Sequence, residues 1–202
     1  MDYSSLFISG ISLVLSTITI YYTLMRPAKL KIFVGPFIII TRHNSYFAFN
    51  IPTTIANRSN QTGVIKRATM IITHNDTPQQ NYHMLWNSFR KISSDGSTWI
   101  QYDTVSSIAI IAKSTENRNI EYQGKFESIP KLCLKKGTYQ VRFYYWSNKP
   151  RPIVFLKHEI YIDENQETHF GNPEMIGKII QLTVDNDMNM NEILTKNQVE
   201  KI

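Results

Sequence analysis

The segment Leu6–Met25 constrains the fold of this chain more than any other part of the sequence. It reads LFISGISLVLSTITIYYTLM, twenty residues that are apolar, hydroxyl-bearing or glycine, with no charged side chain. Twenty residues form a helix of about 30 Å, which matches the hydrocarbon thickness of a bilayer. The run therefore predicts a single transmembrane helix.

Two other kinds of segment resemble such a run. A secretory signal peptide needs a basic start and a small-residue cleavage site, whereas this chain begins MDYSS and the run ends in Tyr21, Tyr22 and Met25. A buried core helix would show a polar face, and this run shows only hydroxyls. We therefore interpret it as an uncleaved anchor.

The charges that flank the run predict its orientation. No lysine or arginine precedes it, while Arg26, Lys29 and Lys31 follow it at once. Cations near the end of a span are retained on the cytoplasmic side, where they face the lipid headgroups. This predicts an external N-terminus and a cytoplasmic C-terminal domain. The alternative is that a long domain crosses the membrane despite a modest charge bias.

Six hydroxyl residues recur along the run at alternating intervals of four and three. This spacing places them on one face of a helix. Small hydroxyl residues permit close approach and interhelical hydrogen bonds, so the set predicts pairing with itself or with another membrane protein. The alternative is that each hydroxyl bonds to a carbonyl of its own helix. We call this set the hydroxyl stripe: Ser5, Ser9, Ser12, Ser16, Thr19 and Thr23.

The chain after the anchor predicts an all-β domain. Residues 1–28 form the anchor and junction, residues 29–184 the domain, and residues 185–202 a polar tail, frayed or forming a short helix after Asn191. Isoleucine, tyrosine, phenylalanine and threonine are frequent, and apolar residues alternate with polar ones. Such segments predict an antiparallel β-sandwich. They are Lys29–Val34, Phe37–Thr41, Phe47–Ile55, Val64–Thr73, Tyr82–Ile92, Ile108–Lys113, Ile120–Phe126, Val141–Trp146 and Ile153–Ile162.

One strand carries a more specific pattern. Gly137-Thr138-Tyr139 followed by alternating Val141 and Phe143 resembles the late strand of immunoglobulin-like modules, where a tyrosine near the strand start caps a corner. The inter-sheet disulfide of many such modules is impossible within this chain, because Cys133 is its only cysteine. Cys133 lies in an apolar run, which predicts a small buried side chain.

A second resemblance covers the first third of the chain and the strand of Tyr139. The junction Arg26-Pro27-Ala28-Lys29-Leu30 after an N-terminal span, with Asn57 and then Gly63-Val64-Ile65, resembles a group of uncharacterised bacterial single-span membrane proteins. The resemblance implies an anchored β-sandwich with an immunoglobulin-like arrangement. It implies no activity and transfers no catalytic residue.

The sequence contains no established catalytic or metal-binding motif. Its five histidines form no i, i+4 pair and no HExxH motif, and it has no glycine-rich phosphate loop and no nucleophile elbow. We therefore predict no catalytic residue, no metal site and no cofactor. The acids Asp163, Glu164 and Glu167 are interpreted as a solvated loop.

The net charge of +6 and the pI near 9.3 direct attention to basic surfaces. Beyond the junction, cations cluster at residues 131, 135 and 136 and at residues 149 and 151. In a strand, Arg142, Tyr144 and Trp146 share one face while Phe143 and Tyr145 point inward. Cations interleaved with rings occur in nucleic-acid sites, but three exposed residues favour a protein partner.

Two functions follow from these observations. The first is a membrane-anchored interaction or accessory subunit, in which the hydroxyl stripe binds a helix and Arg142, Tyr144 and Trp146 bind a protein. The alternative is a membrane-tethered module that binds a small ligand or acts as an enzyme. An exposed aromatic surface on a filled core favours the first, and a deep pocket with converging polar groups favours the second.

Overall fold

A computed structural model of the protein describes residues 3–92, 99–124 and 132–184. Helix α1 spans Tyr3–Ile20, and a π-helical turn follows over Tyr21–Met25. Among the described residues, no helix is both long enough and apolar enough to cross a membrane. The single span predicted over Leu6–Met25 is not supported, since the α-helical part stops at Ile20.

Twelve strands and a second helix are found in the described residues. The strands are β1 Leu30–Val34, β2 Phe37–Arg42, β3 Phe47–Asn57, β4 Gly63–Ile65, β5 Arg67–His74, β6 Tyr82–Ile92, β7 Trp99–Thr104, β8 Ile108–Ile110, β9 Thr115–Gly124, β10 Gly137–Trp146, β11 Val154–Ile162 and β12 Ile179–Thr183. Helix α2 spans Glu164–Gly171.

The strands form a β-sandwich, and every pairing is antiparallel. One layer has the order β11-β10-β5-β6 and the other β6-β9-β3-β2-β12, with β1 also on β3 and β7 also on β6. Strand β6 belongs to both layers, because its residues 82–85 pair with β5 and its residues 84–90 pair with β9. A register shift between Trp86 and Ser88 marks a bulge, the usual device by which a strand turns from one layer into the other. The predicted all-β class and β-sandwich are confirmed.

The core lies between the two layers, and it is filled by the apolar side chains at alternate positions of the strands. On β3, Phe49, Ile51 and Ile55 are fully buried; on β10, Phe143 and Tyr145 are fully buried. Each such side chain contributes about 1.5–3 kcal/mol relative to an exposed position. The prediction that Phe143 and Tyr145 point inward is confirmed.

The predicted tyrosine corner is also present. The Tyr139 hydroxyl accepts a hydrogen bond from the backbone nitrogen of Lys135 at 2.7 Å and donates one to the Lys135 carbonyl at 3.1 Å. Gly137 starts the strand with a φ of 139°, a conformation that favours glycine, and it packs directly against the His74 ring. The corner thus ties the segment before β10 to the first turn of that strand.

Several expectations differ from the structure. The predicted strand over Val64–Thr73 is two strands separated at Lys66, and β7 and β12 were not predicted. The interpretation of Asp163, Glu164 and Glu167 as a solvated loop was wrong, because Asp163 caps α2 in a reciprocal pair of bonds with Gln166. The predictions for Lys125, Phe126 and Lys131 and for the tail at 185–202 lie outside the described residues.

Candidate functional site

The outer surface of the β11-β10-β5-β6 layer carries a contiguous group of rings, of which Tyr144 and Trp146 are half-buried. Tyr144 lies between Trp146 and Phe155, with ring centres 6.0 and 5.0 Å away, and the guanidinium of Arg67 lies 4.2 Å from the centre of the Trp146 ring. Phe155 is 51% exposed and Leu85 is also exposed on this surface. We call this set the aromatic face: Arg67, Leu85, Tyr144, Trp146 and Phe155.

The register of the strands explains why these residues meet. Trp146 pairs with Arg67, while Tyr144 pairs with Thr69 on one side and with Phe155 on the other. Thr69 in turn pairs with Leu85. Directly opposite side chains in neighbouring strands are about 5 Å apart, so one row crosses four strands. The prediction that Tyr144 and Trp146 share the outer face is confirmed; Arg67, Phe155 and Leu85 were missed because they come from three other strands.

Arg142 shares this outer face but is held by the protein itself. Its Nη2 donates to the Thr73 hydroxyl at 2.8 Å and also to the Asn81 side-chain oxygen. Those bonds link β10 to β5 and to the residue that precedes β6. Arg142 therefore fixes the edge of the aromatic face, and its prediction as a partner-binding residue remains untested.

Two cations flank the rings. Arg67 and Lys157 are exposed, and within the described part of the chain neither forms an ion pair. In the strand register, Lys157 on β11 is the direct neighbour of Arg142 on β10. The aromatic face is thus apolar at its centre and positively charged at its margin.

The hydroxyl stripe is exposed along α1, but part of it is satisfied within the helix. The Thr19 hydroxyl donates to the Leu15 carbonyl at 2.8 Å, and the Thr23 hydroxyl donates to the Thr19 carbonyl at 2.6 Å. These bonds are the alternative considered from the sequence. Ser12 and Ser16 are exposed, and the side chain of Ser5 lies outside the described residues. The apolar side chains of α1 are exposed as well, Phe7 and Leu13 at 70%.

The cations predicted to face a membrane surface lie directly after the helical part. Arg26 is half-buried with its guanidinium 5.4 Å from the centre of the Tyr22 ring, while Lys29 and Lys31 are exposed. Gln61 reaches this junction from the loop after β3, donating from its side-chain nitrogen to the Thr23 carbonyl at 2.6 Å. The junction therefore contacts one end of the sandwich.

The other end of the sandwich contains a cavity of about 400 Å³. Its walls come from the β2–β3 turn, the start of β6, the segment before β10 and α2, and they are partly apolar and partly polar. Polar groups come from Arg42, His43, Glu167 and Lys135, and Phe170 lies beneath them. We call this the end cavity.

Electrostatics in the end cavity follow from burial. Desolvation lowers the pKa of His43, with the Glu121 carboxylate opposing this effect and the Arg90 guanidinium reinforcing it. The imidazole is therefore neutral at pH 7, and it stacks on Tyr46 at 4.5 Å. Arg42 donates to the Phe170 carbonyl at 2.5 Å and forms no ion pair among the described residues. The cavity thus combines a cation that is in no ion pair among the described residues with walls that are partly apolar.

Cys133 lines the end cavity and is exposed. The prediction of a buried cysteine was wrong, because the segment before β10 is not a strand. Leu134 turns into the core at 2% exposure, and its neighbour Cys133 turns outward. Sequence alone marked this segment as apolar without showing which side chain faces in.

Two buried polar groups were missed. Glu121 is 1% exposed and lies on the outward side of β9, where its carboxylate accepts from the Ser88 hydroxyl at 3.0 Å and from the Gln123 amide at 2.7 Å and pairs with Arg90. Asn57 is 2% exposed at the end of β3. Neither stands in a local motif that would have signalled burial.

Asn57 organises the loops around it. Its amide donates to the carbonyls of Gln61 at 2.7 Å and Ile110 at 3.0 Å, and its side-chain oxygen accepts from the backbone nitrogen of Ser59 at 3.0 Å. These bonds join the β3–β4 loop to the end of β8. They also bury Asn57, which begins a glycosylation-type sequence.

Comparisons with known proteins show only distant structural similarity. No protein-family profile matches the chain, and no curated protein matches its sequence. A candidate lipoprotein from Bacillus subtilis is 10% identical, with a TM-score of 0.37 over 71% of this chain and 41% of its own, so this chain spans about two fifths of it. A candidate ApaA protein from Bordetella pertussis is 9% identical, with a TM-score of 0.35 over 80% of this chain and 98% of its own.

An uncharacterised β-sandwich protein from Clostridium difficile is 13% identical, with a TM-score of 0.30 over 59% of this chain and 80% of its own. At TM-scores below 0.5 these similarities assign no activity.

No group of three histidine, cysteine, aspartate or glutamate side chains within the described ranges is placed to hold a metal ion.

Proposed function

We propose that this chain is an accessory protein that is attached to a membrane by its N-terminal helix and binds an acidic protein partner through the aromatic face. The observation that carries the proposal is the contiguous set of outward-facing rings, the half-buried Tyr144 and Trp146 and the exposed Phe155, over a filled core. Tryptophan, tyrosine and arginine are enriched among residues that carry most of the energy of protein interfaces.

The cations at the margin define the class of partner. Arg67 and Lys157 have no carboxylate within the described residues, so a partner that presents carboxylates opposite them completes the pairing. The rings supply apolar area, at about 25 cal/mol per Å² buried. Within the sandwich, which we propose to be immunoglobulin-like, the layer β11-β10-β5-β6 holds this surface on one antiparallel sheet.

Membrane attachment is supported by the exposure of α1. Apolar side chains such as Phe7 and Leu13 have no apolar surroundings in the described part of the chain, and lipid supplies such surroundings. The cations Arg26, Lys29 and Lys31 on the C-terminal side support an external N-terminus and a cytoplasmic sandwich. Pairing of α1 with itself or with a membrane subunit belongs to the same proposal. It is tested by changing Ser12 and Ser16 to isoleucine and measuring the mass of the complex extracted in mild detergent.

A matched pair of positions tests the aromatic face. Phe155 and Phe33 are exposed to almost the same extent, 51% and 52%, but Phe33 lies on β1, which pairs with β3 in the other layer. A photo-crosslinking residue at position 155 is expected to give one adduct of defined mass in the native cell, and the same residue at position 33 is expected to give none. No adduct at 155, or the same adducts at both positions, would count against the proposal.

Affinity for the purified partner provides the quantitative step. Trp146→Ala is expected to weaken binding at least about tenfold, in the range of an interface hot spot, while Phe33→Ala leaves it unchanged. Circular dichroism verifies that both variants remain folded. Equal affinities for wild type and Trp146→Ala would remove the aromatic face as the binding surface.

The end cavity favours a second candidate function, the binding of a small aromatic or aliphatic anion. Its partly apolar walls and Arg42, which forms no ion pair among the described residues, are the observation behind it. The probe is 8-anilinonaphthalene-1-sulfonate, an aromatic anion. Binding is expected to slow the alkylation of Cys133 by a maleimide and to weaken in Arg42→Gln but not in Lys178→Gln. Unchanged alkylation of Cys133 at a saturating probe concentration would exclude this cavity as the site.

A further inference from the structure

Four segments of the chain meet at the end of the sandwich that adjoins α1. They are residues 26–30, 57–67, 111–114 and 146–153, and we call them together the helix-proximal end. The Gln61 side chain donates to the Thr23 carbonyl at 2.6 Å. The backbone nitrogen of Lys113 donates to the Ser59 carbonyl at 3.1 Å, and that of Lys66 donates to the Trp146 carbonyl at 2.8 Å. These bonds connect the helical segment to all three loops.

All the charged residues of the helix-proximal end are positively charged. Its four segments contain eight cations and no aspartate or glutamate. Seven of the eight are exposed, Arg26 is half-buried, and none forms an ion pair with a described residue. Ile111 is 69% exposed among them. The cations are Arg26, Lys29, Arg58, Lys66, Arg67, Lys113, Lys149 and Arg151.

The opposite end has a different character. The segments 42–47, 74–82, 132–137 and 162–178 contain five acids and four cations. Lys136 pairs there with Glu164 at 3.2 Å. Strand β10 connects the two ends with ten residues, a distance of about 30 Å, which exceeds the screening length of about 8 Å at physiological salt. Each end therefore interacts with its surroundings independently of the other.

We infer that the helix-proximal end is a docking surface for anionic lipid headgroups, in the same membrane to which α1 attaches. The inference rests on the membrane attachment in the proposed function, and the docking surface shares Arg67 and the edge at Trp146 with the aromatic face. It explains why Lys149 and Arg151, far in sequence from the junction, lie at the same end as Arg26 and Lys29. Lipid phosphates are the anions nearest to a surface from which an apolar helix emerges.

Two further features suit this surface to a headgroup layer. Trp146 and Ile111 stand at its margin beside Arg67 and Lys113, and amphipathic rings and isolated apolar side chains are typical of the interface of a bilayer. Each cation near an anionic surface contributes about 1 kcal/mol, which corresponds to about fivefold in affinity. Docking by several cations would hold the sandwich against the membrane and orient the aromatic face.

The test uses the full chain with vesicles of phosphatidylcholine, with and without phosphatidylserine. Flotation with phosphatidylcholine alone reports attachment through α1. A fluorophore at Asn60→Cys in a Cys133→Ser background marks the helix-proximal end, and the natural Cys133 marks the opposite end. Quenching by a headgroup nitroxide is expected to rise when phosphatidylserine is added for the probe at position 60 and to stay unchanged for the probe at position 133. Molar salt is expected to reverse the rise.

A matched pair of double variants completes the design. Lys149→Glu with Arg151→Glu removes the rise, whereas Lys135→Glu with Lys178→Glu, the same charge change at the opposite end, leaves it intact. The inference is overturned if phosphatidylserine changes neither probe or both equally, or if both double variants act alike. It is also overturned if a single-stranded oligonucleotide binds this end and anionic vesicles do not. If the protein does not float with phosphatidylcholine vesicles, the proposed attachment through α1 is wrong. Flotation with phosphatidylserine-containing vesicles then measures binding by the docking surface alone.

Discussion

The Tyr139 hydroxyl lies 2.7 Å from the backbone nitrogen of Lys135, four residues earlier, and closes a corner at the start of β10. Tyr139→Phe removes both bonds of that hydroxyl and keeps the ring. We expect the free energy of unfolding to fall by about 1–2 kcal/mol. Urea denaturation measures it. Tyr161→Phe is the control, because Tyr161 is exposed on the neighbouring strand, and equal losses in the two variants would show that the corner adds no stability.

Alkaline pH is expected to unfold the protein through its buried tyrosines. Burial raises the pKa of Tyr139 and of Tyr145 to about 12 and that of Tyr122 well above its ordinary value. In the unfolded chain these phenols ionise near pH 10. The folded state therefore holds protons that the unfolded state has lost, and stability that is complete below pH 10 declines as the pH rises through 12.

Tyrosinate absorbance and circular dichroism, recorded together, measure this effect. The three buried tyrosines are expected to ionise only as the sheet unfolds, so their change in absorbance should coincide with the loss of circular dichroism. Tyr145→Phe should reduce the steepness of the decline above pH 10. A single titration near pH 10 for all tyrosines, with the fold intact, would contradict the assignment.

Asn57 is expected to stabilise the helix-proximal end more than its size indicates. Asn57→Ala removes a donor from the buried Ile110 carbonyl and one of the two donors to the Gln61 carbonyl, which keeps the Ser59 hydroxyl, and each lost bond costs about 1–3 kcal/mol. We expect a loss of several kcal/mol in the free energy of unfolding, measured by urea denaturation. Asn60→Ala is the control, since Asn60 is exposed in the same loop. A neutral Asn57→Ala would show that the loops hold together without it.

The strands and part of the aromatic face could be predicted from the sequence because apolar and polar residues alternate along a strand. Alternation places successive side chains on opposite faces, so Tyr144 and Trp146 could be assigned to the outside and Phe143 and Tyr145 to the core. The same rule does not reveal which strands are neighbours. Arg67 and Phe155 meet the rings only because of pairings that depend on the whole topology.

Other features could not be predicted because they depend on residues that are distant in sequence or on hydrogen bonds that a short motif does not indicate. Strand β12 is short and follows a helical turn, so its pairing with β2 has no turn sequence to announce it. The carboxylates after β11 have the composition of a loop, and only the reciprocal bonds of Asp163 and Gln166 identify a helix start. Burial of Glu121 depends on donors from β6, a strand about thirty residues earlier.

Cys133 is expected to react as a surface thiol. A maleimide should label it in the native protein nearly as fast as in urea, because the side chain is exposed on the segment before β10. Mass spectrometry of the timed reaction gives both rates. Native labelling slower by several orders of magnitude would restore the prediction from the sequence, that Cys133 is a buried apolar side chain.

The Arg90 and Glu121 pair is expected to be worth far more than the surface pair of Arg118 and Glu116. Glu121 is 1% exposed, and Glu121→Ala removes the carboxylate that accepts from the partly buried Arg90 guanidinium and from the Ser88 hydroxyl. Removing one member of a buried pair costs about 3–5 kcal/mol. Glu116→Ala is the matched control, and its half-exposed pair is worth less than about 1 kcal/mol.

A double-mutant cycle separates the pair from the rest of its surroundings. We expect Arg90→Ala and Glu121→Ala together to cost less than the sum of the single changes, by about 0.5–3 kcal/mol, because both single changes break the same interaction between Arg90 and Glu121. Urea denaturation of the four proteins supplies the cycle. Strict additivity would mean that the Glu121 carboxylate is stabilised by Ser88 and Gln123 rather than by Arg90.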